Sequence, residues 1–263
     1  MQLEGSLLNS LRIQLRVVGA LLMREILTRY GRHNIGFLWV FFEPMLFTLG
    51  VTALWTATKA AHGSNLPITA FAVTGYSSVL LWRNCANRCA LAILPNQSLL
   101  YHRNVRVVDL FWARVTLEIA GATTSFVFLM LLFMAMGLMA PPVDLGPMLI
   151  GWVLLALFGI GLGFTVGALS ERSETVERVW HTISYLFFPF SGALFMVNWL
   201  PPLAQKVVYW FPMVHGTEMI RGGYFGAQVR PKYDLAFLCS IDIILLLVGL
   251  FLVREAGKRV EPE

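Results

Sequence analysis

Long apolar runs separated by short polar stretches dominate this 263-residue sequence. A helix needs about 20 mainly apolar residues to cross the hydrocarbon core of a bilayer. Six runs approach that length: Phe37–Thr58, Leu66–Trp82, Val115–Met139, Pro147–Leu169, Trp180–Leu200 and Leu235–Val253. The runs are continuous and lack the alternation of a membrane β-strand. The pattern therefore predicts an all-α membrane protein with six transmembrane helices.

The stretch before the first run, residues 1–36, predicts an amphipathic helix. Its apolar residues recur at spacings of three and four: Leu8, Leu11, Leu15, Val18, Leu22 and Ile26. Arg12 and Arg16 lie on another face. Such a helix typically lies in the membrane interface, although a soluble helix packed on other protein is the alternative. Residues 37–263 then form the transmembrane domain.

The composition agrees with a polytopic membrane protein, since 57% of the residues are hydrophobic and only 13% are charged. Soluble domains carry about 25% charged residues. The net charge of +5 indicates orientation and attraction to anionic headgroups rather than nucleic acid. Of the 20 Lys and Arg residues, 15 fall on one side of the predicted spans. This bias predicts that both termini are cytoplasmic.

Two segments outside the spans are unusual for plain loops. The predicted cytoplasmic segment 84–114 mixes basic and apolar residues, which favours docking of a partner over a solvated connector. The predicted periplasmic segment 201–226 is rich in aromatic residues and contains Pro201, Pro202 and Pro212. We expect two short re-entrant helices there, shielded by protein or lining a wet cavity.

The sequence contains no recognisable catalytic motif and no G-x-x-x-x-G-K-[ST] loop, so any driving nucleotide must bind another subunit. Cys85, Cys89 and Cys239 show neither zinc nor redox spacing. No metal site is expected.

Two groups of residues have helical spacing. Gly159, Gly163 and Gly167 predict close helix packing, either within one protomer or between two. His215, Glu218 and Arg221 share one face of a predicted helix. An ion pair among them could pin that helix.

Two carboxylates fall within predicted spans, where such groups are expensive and are candidates for function. We expect Glu43 to pair with a basic residue near the cytoplasmic end. For Asp242 a structural and a functional role remain equally open.

Three stretches carry a family resemblance: "REILTRYGRHNIGFLWVFFEP" (24–44), "NQSLLYHRNVRVVDLFWARVTLE" (96–118) and "WFPMVHGTEMIRGGYFG" (210–226). With the predicted spans, they resemble the ABC-2 type permeases. More narrowly, the chain is similar to the inner-membrane permeases of bacterial capsular polysaccharide exporters of the KpsM type. The resemblance covers essentially the whole chain.

This resemblance implies an ABC-2 permease fold in the bacterial inner membrane. Two copies of the chain would form the pore, above two cytoplasmic ABC ATPase subunits that bind ATP and Mg. The chain itself would hold no cofactor and would not be an enzyme. The cargo would be a lipid-linked acidic polysaccharide, which passes to a periplasmic polysaccharide co-polymerase adaptor and an outer-membrane export channel.

The resemblance also implies roles for particular residues. The ATPase-coupling residues would be Asn96, Tyr101, His102, Arg103, Arg106 and Asp109. The periplasmic gate would include Tyr209, Trp210, His215, Glu218 and Arg221. Anionic cargo would first meet the pore at Arg24, Arg29, Tyr30, Arg32, His33 and Trp39, because arginine binds paired oxygens and aromatic rings stack. Anchoring to lipid headgroups is the alternative for these six.

Rival functions remain open. The same machinery could move O-antigen, teichoic acid, a drug or a lipid. A secondary transporter would show inverted repeats and broken helices, which the sequence does not indicate. A membrane enzyme would need a catalytic constellation.

Overall fold

The chain is built from helices joined by short loops. The computed structural model describes residues 2–30, 38–57, 66–100 and 105–260, and no β-strand occurs among them. The helices are α1 (Gln2–Tyr30), α2 (Trp39–Ala57), α3 (Ile68–Cys89), α4 (Val107–Ala135), α5 (Leu145–Ser170), α6 (Glu174–Leu186), α7 (Pro202–Val208), α8 (Pro212–Phe225) and α9 (Leu235–Val260). Short 3₁₀ turns cover Leu94–Leu99, Val197–Trp199 and Gly226–Gln228. The all-α prediction is confirmed for the described residues.

Three helices in the described part of the chain are long and apolar enough to cross a membrane: α4, α5 and most of α9. The apolar stretch of α2, Met45–Thr56, is shorter. Helix α3 has 22 residues, or about 33 Å at 1.5 Å per residue, which matches a hydrocarbon core of about 30 Å. Its last turns carry Arg83 and Arg88, however. The count of six spans therefore stays a prediction.

The predicted fifth span is not one continuous helix. Helix α6 has 13 residues and ends at Leu186, which gives about 20 Å at 1.5 Å per residue. Pro189 follows, and proline disfavours helical backbone at the residue before it. Gly192 then takes a φ of +80°. The apolar run 180–200 thus combines a short helix with irregular chain.

Helix α1 packs along α4 through only part of the predicted apolar stripe. Val18 and Leu22 lie against the buried cluster that contains Leu21. Leu11 and Leu15 are exposed. The second half of α1 therefore packs against the other helices. The first half is exposed, and its location in the membrane interface stays a prediction.

Helix α5 lies at the centre of the bundle and contacts α3, α8 and α9. Its glycine face, with Gly159 at one end, meets α3. A Cβ atom on Gly163 would lie 2.9 Å from the Cys85 carbonyl oxygen, and one on Gly167 would lie 2.6 Å from the Cys89 carbonyl oxygen. These contacts are shorter than van der Waals distances, so the glycines let the two backbones touch. The predicted close packing therefore occurs within one chain.

Candidate functional site

Glu218 on α8 joins two loops through its carboxylate. Its Oε1 accepts the Val197 backbone N–H at 2.8 Å, and its Oε2 accepts the Lys232 backbone N–H at 2.8 Å. The residue is 1% exposed. Burial raises the pKa of this carboxyl, and the two N–H donors act against that shift. Glu218 thus holds the 197 turn and the 232 loop against α8.

Arg221, one turn further along α8, is fully buried. Its guanidinium donates to the carbonyl oxygens of Ala193 at 2.6 Å and Phe195 at 2.8 Å, and also to that of Gly192. It donates to the Phe71 carbonyl of α3 at 3.2 Å and lies 3.6 Å from the centroid of the Phe71 ring. Carbonyl dipoles and a ring face therefore surround this charge.

His215 completes the set on α8. Its Nε2 lies 2.9 Å from the Tyr209 carbonyl oxygen, and its Nδ1 lies 2.8 Å from the Asp234 backbone nitrogen. A carbonyl only accepts and an N–H only donates, so Nε2 carries the hydrogen and Nδ1 accepts. Burial lowers the pKa of His215, while the Tyr209 carbonyl raises it. The geometry holds the imidazole neutral.

The predicted ion pair on this face is wrong. His215, Glu218 and Arg221 do share one buried face of α8, but no ion pair joins Glu218 to Arg221 within 4.0 Å, although both residues are described. Each side chain binds backbone groups of other segments instead. Together they fix α8 to α3, to the 192–197 segment and to the 232–234 loop.

Tyr209 and Trp210 lie in the turn between α7 and α8. The Tyr209 ring packs edge-on against His215, with centroids 4.5 Å apart. Trp210 is 76% exposed. The five predicted gate residues therefore lie together, and their role in gating stays a prediction.

The predicted coupling segment meets the predicted cargo residues at α1. The Asn96 side chain accepts a hydrogen bond from the Arg24 guanidinium and donates to the Ala92 carbonyl at 2.9 Å. Asn96 is buried, in the 3₁₀ turn Leu94–Leu99. Tyr101, His102 and Arg103 lie outside the described residues.

Asp109 and Arg106 lie at the start of α4 and differ in exposure. Asp109 is fully buried; its Oδ2 accepts the Arg106 backbone N–H at 2.9 Å, and its Oδ1 accepts the Gln14 side chain of α1. Its carboxylate thus caps α4 and ties it to α1. Arg106 is exposed, so of the two it is the one available to a partner.

Two residues missed by the sequence reasoning hold the other side of the coupling segment. The Ser170 hydroxyl accepts the Leu91 backbone N–H at 3.1 Å, and the Glu171 carboxylate accepts the Ile93 backbone N–H at 2.6 Å. Burial raises the pKa of Glu171, and the backbone N–H groups of Ile93 and Leu94 oppose that shift. No sequence motif marked either residue, because the contact joins segments far apart in the chain.

Glu43 pairs with a basic residue, as predicted. Its carboxylate lies 3.0 Å from Arg88 of α3, and Arg88 also lies 3.6 Å from Glu118 of α4. Beside them, Arg114 lies 3.5 Å from Glu25 of α1 and donates to the Arg88 carbonyl at 2.7 Å. These charges link α1, α2, α3 and α4 at one end of the bundle.

Few of the predicted cargo residues can be placed in full. Arg24 lines a groove of about 390 Å³ together with Asn96, Arg88 and Arg114. Trp39 is exposed at the start of α2. Arg32 and His33 lie outside the described residues, as do the side chains of Arg29 and Tyr30.

Asp242 on α9 is 3% exposed, and neither carboxylate oxygen has a hydrogen-bond partner in the described part of the chain. Among the described residues, no group of His, Cys, Asp and Glu is arranged to hold a metal ion.

The sequence profile of the ABC-2 type transporter family matches residues 16–225, which include the coupling segment and all of α8. This chain belongs to that family. The match covers most of the chain and agrees with the helical architecture.

Three named relatives extend this comparison. The chain is 46% identical to the capsule polysaccharide export inner-membrane protein CtrC of Neisseria meningitidis serogroup B, over 99% of this chain and 98% of the relative. It is 46% identical to the protein BexB of Haemophilus influenzae, which has the same description, over 97% and 96%. The polysialic acid transport protein KpsM of Escherichia coli is 24% identical, over 94% and 95%.

Proposed function

We propose that this chain is the inner-membrane permease of an ATP-driven exporter of lipid-linked capsular polysaccharide. The similarity to capsule export proteins at 46% identity, over nearly the full length of both chains, carries this proposal. The pore would contain two copies of the chain. Two separate ATPase subunits would supply the force, since the sequence contains no nucleotide-binding loop.

The coupling segment supports a specific route for that force. Asn96 holds the segment to α1, and Glu171 holds it to the end of α5. A push from an ATPase on the exposed surface near Arg106 would therefore move α1, α4 and α5 together. Glu171 and Asp109 are positioning residues in this scheme, because their carboxylates face inward.

The α8 contacts support a gate that moves as one body. His215, Glu218 and Arg221 hold three separate segments, and Arg221 also reaches α3. Opening would shift these segments together or break hydrogen bonds to buried groups, at about 1–3 kcal/mol for each group left unpaired. At the other end, Arg24, Arg29, Tyr30, Arg32, His33 and Trp39 would meet the anionic cargo.

The path beyond the membrane follows from the cargo. A polysaccharide has many hydroxyl groups, so it needs a continuous polar or aromatic-lined path. We propose that a periplasmic adaptor and an outer-membrane channel continue this path on the α8 side.

Deletion of the gene in its host, followed by complementation, tests the proposal. Without the chain, we expect surface capsule to disappear and lipid-linked polymer to accumulate inside the cell. Purified alone in proteoliposomes, the chain should hydrolyse no ATP. Unchanged surface capsule after deletion, or ATP hydrolysis by the chain alone, contradicts the proposal.

A further inference from the structure

A cavity of about 500 Å³ lies between α7 and the start of α9. Its wall includes Gln205, Lys206, Tyr209, Trp210, Lys232 and Phe237. Small-ligand sites typically measure about 300–1,000 Å³. Its wall combines charged, amide and aromatic groups.

One aromatic ring in this wall packs against a neighbour and is still exposed. Trp210 meets the Phe237 ring edge-on, with centroids 6.5 Å apart and planes at 85°. It is nevertheless 76% exposed. A flat, exposed ring suits the apolar C–H face of a sugar, and the indole N–H can serve a hydroxyl group.

The charges in the wall favour an anion. Lys206 and Lys232 are both exposed, and the Lys232 ammonium donates to the Gln205 side-chain oxygen at 2.8 Å. Asp234 is the one acid among the described wall residues. Its carboxylate accepts the Phe237 backbone N–H at 3.0 Å and so caps α9. The wall thus carries two cations and one carboxylate, and that carboxylate already accepts a backbone N–H.

The same wall is connected to the buried residues of α8. The Lys232 backbone N–H binds Glu218, and the Asp234 backbone N–H binds His215, each at 2.8 Å. A ligand that binds the Lys232 side chain therefore contacts a loop that is hydrogen-bonded directly to α8.

We propose that this cavity binds an anionic sugar residue of the exported polymer as it leaves the α8 end of the pore. Trp210 stacks on the sugar ring, Lys206 and Lys232 bind its acidic group, and Gln205 binds a hydroxyl. The inference rests on the proposed function and adds to it a cargo site linked to the gate.

The test uses the full chain with its ATPase in lipid nanodiscs. The probes are short acidic oligosaccharides released from the host's own capsule, and a neutral oligosaccharide of equal length is the control. Calorimetry measures the affinity for each. Trp210→Ala removes the stacking surface, and a Lys206→Gln/Lys232→Gln variant removes both charges. Lys258→Gln, an exposed lysine near the end of α9 that is distant in sequence, is the matched control.

We expect Trp210→Ala to weaken binding of the acidic probe about three- to ten-fold, from the typical strength of aromatic stacking. Each lysine should contribute about two- to five-fold at low salt, and this share should fade as salt rises. Trp210→Phe should restore part of the affinity. Equal affinity for the neutral probe, or unchanged affinity in both cavity variants, overturns the inference.

A complementation assay separates this failure from failure of the proposed function. If the unaltered chain does not restore surface capsule to the deletion strain, the proposed function fails. If it restores capsule and the cavity variants bind the probe normally, only the cavity assignment fails. If those variants bind the probe normally but no longer cross-link to the periplasmic adaptor, the cavity binds a protein partner and not a sugar, and the cavity assignment is likewise wrong.

Discussion

Replacing Glu218 by Gln keeps the shape of the side chain and removes its charge. The carboxylate accepts two backbone N–H groups at 2.8 Å, from Val197 and Lys232. An amide offers one oxygen to one of them and points its own NH₂ group at the other. One buried donor is then left unpaired, at the loss of a hydrogen bond to a charged group. That loss is typically about 1.5–3 kcal/mol.

The free energy of unfolding can be measured by titrating the purified protein in mixed micelles with SDS and following tryptophan fluorescence. We expect Glu218→Gln to lower it by about 1.5–3 kcal/mol. Glu43→Gln is the matched control, because the side chain of Glu43 is 49% exposed in its pair with Arg88. An exposed pair contributes about 0–1 kcal/mol, so the control should change little.

The difference between the two variants tests whether burial and backbone bonding determine the role of Glu218. If both variants lose the same free energy, or if Glu218→Gln loses none, burial and backbone bonding do not determine the role of this carboxylate. The assignment of α8 as the element that holds the surrounding loops would then be wrong.

Three further predictions test other parts of the structure. Gly163→Ala should lower the free energy of unfolding by about 1–3 kcal/mol by forcing α3 from α5, whereas Gly50→Ala, which faces open space, should lower it by none in the same titration. As pH falls from 6.5 towards the lowered pKa of His215, the unfolded state binds more protons than the folded one. The free energy of unfolding should therefore drop by up to about 1.4 kcal/mol per pH unit. The His215→Asn variant should lack this drop, and an equal dependence of the free energy on pH in both proteins would contradict the prediction. Arg106→Glu should abolish stimulation of the ATPase partner in proteoliposomes, whereas Arg230→Glu, at the α8 end, should not; normal stimulation with Arg106→Glu would show that the coupling surface lies elsewhere.

Hydrophobic runs were enough to find α4, α5 and α9, because each is long, apolar and free of proline beyond its first turn. They misled at 180–200. An apolar run records burial in lipid or protein, not backbone conformation, and Pro189 with Gly192 ends the helix without making the sequence polar. Periodicity likewise identified the apolar stripe of α1. It did not show which part of that stripe is buried against other helices.

The candidate site shows a similar division. Helical spacing correctly put His215, Glu218 and Arg221 on one face, because that depends only on local geometry. It gave the wrong partners, since these are backbone groups brought close by folding. Glu171 was missed for the same reason. For Glu43 the cost of an unpaired charge predicted a basic partner, yet only the structure identifies Arg88.

Helix α3 gives a physical basis for communication between the two ends of the bundle. Near its start the Phe71 carbonyl accepts Arg221 of α8, and near its end Arg88 pairs with Glu43. Between these points α3 is almost entirely buried, and backbone contact at Gly163 and Gly167 leaves α5 little freedom to move apart from it. Because packed interiors resist compression, a displacement at the Arg88 end should reach Phe71 as a rigid shift of α3 with α5. No chain of charged residues through the membrane is needed for this.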